Sequence, residues 1–119
     1  MSTREFVGGL HREILEGNLD RYREILQKAL EGEVFRDPYW RKTAVLYQSL
    51  SEDQRRQIIA VMEQVAQDTI SNILGLLDGS STLSELPDRF HLTYGQDEED
   101  LNGEMQDMFL ALCEESQPG

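Results

Sequence analysis

The residues that could do chemistry are concentrated in an acidic stretch near the C-terminal end of the chain. Asp100, Glu104 and Asp107 are spaced by four and three residues, which would place their carboxylates on one face of a helix. Grouped carboxylates can hold Mg²⁺ or Mn²⁺, above all when a second helix contributes matching oxygens. No second acidic motif of this kind occurs in the sequence. We therefore expect a solvated acidic face and no cofactor, with a small metal-dependent hydrolase, completed by homodimerisation, as the alternative.

Other candidate catalytic groups give weaker signals. His11 and His91 lie in different segments, and neither has a partner at metal-ligand spacing. The single cysteine, Cys113, precedes two glutamates, which blunt the nucleophilicity of a thiol. The Gly8-Gly9 pair does not begin a phosphate-binding loop, and no serine lies in a Gly-x-Ser-x-Gly motif. These patterns favour a protein that is not an enzyme.

Net charge separates the classes of partner. The 119 residues include 23 acidic and 11 basic side chains, a net charge of -12, and residues 79–119 hold 10 of the acids with Arg89 as their only base. Such a surface repels nucleic acids and anionic membranes and attracts a protein with a basic surface. The residues expected to bind that partner are Asp97, Glu98, Glu99, Asp100, Glu104 and Asp107.

Capping signals predict the helices that would position these groups. Ser2 with Glu5 begins a first helix that ends near Gly17, and Asn18 caps a second. Asp37 before Pro38 begins a third.

The longest apolar pattern follows Ser51. It predicts a fourth helix from Glu52 to Asp78, central to the fold, buried on several sides in its second half and kinked or ended early around Gly75. Asn102 would cap a last helix from 103 to about 115.

Together these signals predict a mainly α protein. We expect a single domain over 1–119, a bundle of about five helices around a long central helix, with at most a short strand or hairpin near 90–94. Residues 80–102 form an irregular acidic segment and 116–119 a frayed tail. The single cysteine and the start of the sequence, which lacks the apolar core of a secretory signal, favour the cytoplasm.

One aromatic pair lies among positive charges. Tyr39 and Trp40 are flanked by Arg36, Arg41 and Lys42, and such a group can stack on a base or recognise a carboxylate. The favoured alternative is that Trp40 packs in the core while the cations pair with the acidic C-terminal region.

Three segments resemble small acidic bacterial proteins of uncharacterised function: Asp37-Pro38-Tyr39-Trp40, Asp68-Thr69-Ile70-Ser71-Asn72-Ile73-Leu74-Gly75 and Leu101-Asn102-Gly103-Glu104-Met105-Gln106-Asp107. This resemblance implies no catalytic residues. Size and charge are also similar to those of toxin-neutralising immunity proteins. The leading hypothesis is a non-enzymatic acidic module that binds a basic protein, as an immunity protein or a nucleic-acid-mimicking inhibitor does, and a homo-oligomeric structural module is a further alternative.

Overall fold

Helices dominate the computed structural model, which describes residues 1–80 and 89–116. The described residues form α1 (Thr3–Gly9), a π-helical segment (Leu10–Glu16), α2 (Gly17–Leu30), α3 (Pro38–Ser49), α4 (Glu52–Asp78) and α5 (Met105–Ser116). Within these two ranges there is no strand, and residues 90–94 are irregular. The mainly α class is confirmed.

The chain divides into two compact units. Unit 1 comprises Met1–Glu16 and Val65–Gly119, and unit 2 comprises Gly17–Gln64. One boundary therefore falls between the π-helical segment and α2, and the other falls inside α4. The single domain over 1–119 stays a prediction.

Local capping signals set the helix starts in unit 2. Asp37 Oδ1 accepts the Tyr39 backbone N–H at 2.8 Å, and Pro38 occupies the first helical position, where the missing N–H costs nothing. At the start of α4, Ser51 Oγ accepts the Gln54 N–H at 3.1 Å while Gln54 Oε1 accepts the Ser51 N–H at 2.9 Å. This reciprocal pair is a capping box. Both predicted helix starts are confirmed.

Side chains that reach backbone carbonyls connect the helices of unit 2. Gln48 Nε2 donates to the Ala29 carbonyl at 2.6 Å. Arg55 donates from Nε to the Tyr47 carbonyl at 2.9 Å and from Nη2 to the Gln48 carbonyl at 2.8 Å. A cation at the negative end of α3 is favourable, because the last carbonyls of a helix have no partners within it. The buried apolar residues of this unit are Leu19, Leu26, Ala29, Ala44 and Tyr47.

In unit 1 the π-helical segment contains a buried histidine, His11. The His11 ring packs edge-on against the Phe109 ring, with 5.9 Å between centroids, and its Nδ1 lies 3.5 Å from a Glu16 carboxylate oxygen. Helical backbone continues through this segment into α2. The predicted helix end near Gly17, with Asn18 as the next cap, is therefore wrong. The wider π turn keeps the helical hydrogen bonding going where the glycine suggested a break.

The core of unit 1 is larger than that of unit 2. Its buried apolar residues include the four largest side chains that are almost completely buried in the described residues, Phe109, Leu74, Met105 and Val7. The others are Leu15, Leu101 and Cys113. Residues from α1, the π-helical segment, the end of α4 and α5 therefore share one apolar interior.

Burial along α4 is uneven. The helix has the predicted bounds, Glu52–Asp78, and does not end early at Gly75. Its buried residues are Ser71, Leu74 and Gly75. No residue between 52 and 64 is buried, and Ile73 in the second half is 52% exposed. The expectation of burial on several sides is wrong, since only one face of the last turns is covered. Among the described residues, no helix combines the length and apolar character needed to cross a membrane.

The last helix begins later than its local signal suggested. Asp78 Oδ1 accepts the Gly103 N–H at 2.6 Å and Oδ2 accepts the Gln106 N–H at 2.7 Å. The end of α4 thus supplies the cap for α5, which begins at Met105. Asn102, the expected cap, makes other contacts.

Candidate functional site

The acidic stretch from Asp97 to Asp100 leads directly into Leu101, which contacts other parts of unit 1. This side chain is buried, and its backbone N–H donates to the Leu92 carbonyl at 2.6 Å. Its own carbonyl accepts the Thr3 hydroxyl at 2.8 Å. The stretch from Asp97 to Asp100 therefore joins directly to an anchored residue, although it has no regular secondary structure itself.

Asn102 adds three hydrogen bonds to this anchor. Its Oδ1 accepts the Leu92 N–H at 2.9 Å, and its Nδ2 donates to the carbonyls of Leu77 at 2.6 Å and Phe90 at 2.8 Å. One amide side chain thus ties the end of α4 to residues 90–92. Asn102 holds the acidic segment in place instead of capping α5.

The six carboxylates expected to bind a partner are all exposed. Asp97 Oδ2 lies 3.3 Å from the Met1 amino nitrogen, and Asp100 Oδ2 lies 2.8 Å from His91 Nδ1. Within residues 1–80 and 89–116, the other four form no ion pair: Glu98, Glu99, Glu104 and Asp107. Their negative charge therefore faces solvent without compensation.

The helical-face argument for a metal site does not hold. Of Asp100, Glu104 and Asp107, only Asp107 lies within α5, because the helix begins at Met105. In the part of the chain that the structure describes, no group of three or more His, Cys, Asp or Glu side chains is arranged to hold a metal ion. The metal-dependent hydrolase stays a prediction, but its three carboxylates do not share the helical face on which it was based.

The difference in net charge between parts of the chain is larger when the chain is divided into its two compact units. Unit 1 contains 15 acidic and 3 basic residues, a net charge of -12, whereas unit 2 contains 8 of each and is neutral. The whole net charge of the protein thus belongs to unit 1. Splitting the sequence at residue 79 had assigned only part of it to the C-terminal stretch, because residues 1–16 and the acids Asp68 and Asp78 of α4 could not be grouped with that stretch before the fold was known.

Cys113 is a packing residue. Burial raises the pKa of its thiol above the ordinary value of 9.0, and the nearby Glu16 carboxylate raises this pKa further. A thiol that stays protonated at neutral pH is a poor nucleophile. The structure places this residue in the interior of unit 1.

Trp40 lines an open cleft in unit 2, contrary to the expectation that it packs in the core. Its ring contacts three other aromatic rings, with centroid distances of 5.2 Å to Tyr39, 5.7 Å to Tyr22 and 6.4 Å to Phe35. The cleft has a volume of about 260 Å³ and is lined by Tyr22, Leu26, Tyr39, Trp40, Thr43, Leu46, Tyr47, Leu50, Ile58 and Met62. Helical periodicity alone does not reveal such a cleft.

A second groove continues the cleft along α4. It has a volume of about 420 Å³ and shares Leu50, Ile58 and Met62 with the cleft, adding Gln54, Gln57 and Val61. None of the cations near the cleft, Arg36, Arg41 and Lys42, forms an ion pair with a described residue. Their expected pairing with the acidic region stays a prediction.

Comparison of the chain with protein-family models, curated proteins and solved structures found no match. The function proposed below is accordingly argued from residues, contacts and charge.

Proposed function

We propose that the protein is a non-enzymatic binding module whose unit 1 engages a basic surface on a protein partner. The mode of action would be that of an immunity protein or a nucleic-acid-mimicking inhibitor, which occupies the positive surface of its target. The observation that carries this proposal is that the net charge of -12 lies entirely in unit 1 and that its exposed segment from Asp97 to Asp100 is anchored at Leu101.

Anchoring fixes the positions of the carboxylates, and complementary charges orient a partner only when their positions are fixed. A field of one sign speeds diffusional encounter and orients the partner, and it adds less to the final affinity. Carboxylates held on an ordered connection lose less conformational entropy on binding than those of a disordered tail. Glu98 and Glu99 are exposed, form no ion pair in the described residues and lie in this anchored stretch, so both side chains are available to the partner.

The proposal is tested by capturing the partner from a native extract and measuring association rates with the purified protein. We compare the double variant Glu98→Gln/Glu99→Gln with Glu31→Gln/Glu33→Gln, which changes the net charge equally at exposed positions of unit 2. The first variant should slow association on the order of threefold to tenfold at low salt, and the second should leave it almost unchanged.

Salt gives the second readout. Association of the wild-type protein should slow as ionic strength rises, because added ions screen the attraction over distances beyond about 10 Å at 0.1 M. A captured protein whose contact face is acidic, or whose association rate is the same in low and high salt, would contradict the proposed function.

A further inference from the structure

The cleft around Trp40 and the groove that continues it form one apolar surface on unit 2. The two share Leu50, Ile58 and Met62, so the surface is continuous from α3 to α4. Tyr39 is 66% exposed and Leu46 56%. A continuous exposed apolar surface is typical of an interaction site.

The shape of this surface favours a polypeptide over a small molecule. A small-molecule pocket encloses its ligand and buries about 70–90% of the ligand surface. Here the rim residues Tyr39 and Leu46 are themselves mostly exposed, so the groove is open along its length. An open apolar groove between helices fits the apolar face of an amphipathic helix, whose large side chains recur every three to four residues.

One wall of this surface is positively charged. α3 contributes Tyr39 and Leu46 to the cleft, and it is the only helix in the described residues that contains no acidic residue. Its Arg41 and Lys42 are exposed, as is Arg36 just before it, and none of these cations forms an ion pair with a described residue. Lys42 follows Tyr39 by three residues and precedes Leu46 by four, so it adjoins both on the helix surface.

The acids on the opposite wall do not offset these cations. No acidic side chain lines the cleft or the groove. All three acids of α4 within unit 2 are engaged elsewhere, because Glu63 pairs with Arg23 of α2 while Glu52 and Asp53 pair with Arg56. The cations of α3 are therefore available to carboxylates that a partner brings.

We propose that this surface binds an acidic amphipathic helix of another protein. Apolar side chains of that helix fill the cleft beside Trp40, and carboxylates that flank its apolar stripe lie near Lys42. Nucleic acid fits less well, because phosphates cannot fill an apolar groove and three cations neutralise few of them. This inference does not rest on the proposed function, since it concerns the other unit and a partner of opposite charge.

The charge of unit 1 limits what the α3 cations can do. At -12 it repels an acidic partner, although salt screens this repulsion beyond about 8 Å at physiological ionic strength. Burial of apolar surface therefore supplies the attraction. The cations act at contact, where they favour apolar helices with acidic flanks over those with basic flanks.

Fluorescence of Trp40 tests the proposal, because it is the only tryptophan of the chain and lies in the cleft. The probes are two tryptophan-free peptides of about 18 residues, long enough to form a helix. Both carry the same leucine stripe, which is flanked by glutamates in one peptide and by lysines in the other. The acidic peptide should shift the Trp40 emission and bind the cleft about tenfold more tightly than the basic peptide, which unit 1 attracts without perturbing Trp40.

Two lysine variants provide a matched comparison. Lys42→Gln and Lys28→Gln remove the same charge from exposed positions of unit 2, but Lys28 lies outside the cleft and pairs with Glu24. Lys42→Gln should weaken binding of the acidic peptide about threefold, and Lys28→Gln should leave it almost unchanged. Circular dichroism checks that both variants keep their helices.

A second pair of variants tests the apolar contact. Val61 and Ile73 are both on α4 and both 52% exposed, but only Val61 lines the groove. Val61→Glu should weaken binding about tenfold, and Ile73→Glu, in unit 1, should change it less than twofold.

Three results would overturn the proposal. The first is an unchanged Trp40 emission with both peptides, and the second is equal binding of both peptides at Trp40 or equal effects of the two lysine substitutions. The third is a different occupant, which would be shown by the same emission shift with a single-stranded oligonucleotide, or by a dimer in sedimentation equilibrium that Val61→Glu dissociates.

Discussion

The Asp78 carboxylate, at the last position of α4, accepts the backbone N–H of Gln106 in the first turn of α5 at 2.7 Å. Its second oxygen accepts the Gly103 N–H at 2.6 Å. The first N–H groups of a helix have no partner within the helix, so Asp78 satisfies one of these donors at Gln106 and also binds the N–H of Gly103, just before the helix. The cap of α5 is thus a tertiary contact between two helices of unit 1.

Replacing Asp78 should measurably destabilise the protein. Asp78→Ala removes both cap bonds and should lower the free energy of unfolding by about 1 kcal/mol, within a range of about 0.5 to 2. Urea denaturation measures this loss. Asp107→Ala is the control, because Asp107 lies in the same first turn but is exposed, so its removal should cost only a few tenths of a kcal/mol through the helix dipole. Equal losses would contradict the capping role.

A side chain at Gly75 should be destabilising while Gln106 is present. A Cβ at Gly75 would lie 2.8 Å from Gln106 Nε2, which donates to the Ser71 carbonyl at 3.0 Å and to the Ser71 hydroxyl at 3.1 Å. Alanine gains about 1 kcal/mol over glycine in a helix interior, but forcing this bonded amide aside costs more. We expect Gly75→Ala to destabilise unit 1 by about 1 kcal/mol in thermal denaturation.

A double-mutant cycle separates these two effects. In the Gln106→Ala background, Gly75→Ala should stabilise by up to about 1 kcal/mol, because the obstacle is gone. Gly8→Ala, in α1 with nothing within 4 Å of the added Cβ, should be stabilising in both backgrounds. If Gly75→Ala had the same effect with and without Gln106, the close approach would have no energetic consequence.

Asn102 should control the local stability of the acidic segment. Asn102→Ala removes all three of its hydrogen bonds and should speed amide exchange at Leu92 and Leu101, roughly fivefold for each bond lost. Asn102→Asp keeps the acceptor for the Leu92 N–H and loses both donations, so it should protect Leu92 better than alanine does. Hydrogen exchange followed by NMR distinguishes the variants. Identical exchange at Leu92 in both would show that this bond is not what protects it.

The Cys113 thiol should ionise at a higher pH than an ordinary thiol. Burial and, to a smaller extent, the Glu16 carboxylate raise the pKa of the thiol above 9.0. The unfolded chain then loses the thiol proton first, so the stability that this group contributes should fall as pH rises through 9.0 towards the native pKa. The ultraviolet absorbance of the thiolate, taken as the difference from Cys113→Ala, measures the native value.

Glu16→Gln should lower that pKa without restoring the ordinary value, because burial remains. Glu13→Gln, an exposed neighbour in the same π-helical segment, should leave it unchanged. A native thiol that ionises at or below 9.0 would argue against burial as the dominant cause.

Signals between neighbouring residues predicted structure well. Asp37 bonds to the Tyr39 N–H and Ser51 to the Gln54 N–H, so both partners of each bond lie within one turn of the chain. Asp78 lies 28 residues from Gln106, and nothing local marks it as the cap of α5. Asn102 carries a genuine capping preference, but its side chain satisfies carbonyls and an N–H that only the folded chain brings together.

For the candidate site, too, some features were predictable from the sequence and others required the fold. Charge could be counted from composition, and the six carboxylates were expected at the surface, where the structure has them. The cleft around Trp40 could not be foreseen, because helical periodicity identifies residues that share a face and does not reveal whether another element covers it. The neutrality of unit 2 likewise emerged only once the fold had grouped distant parts of the chain.

Gly75 is the only glycine in α4, and this sets the axial alignment of α4 and α5. Sliding one helix past the other by a single turn, about 5.4 Å, would bring the Gln106 amide against a residue with a Cβ, such as Ser71. Gln106 would then lose both its space and its hydrogen bonds. The glycine on one helix and the amide on the other thus form a matched pair that favours the observed register over a shift of one turn.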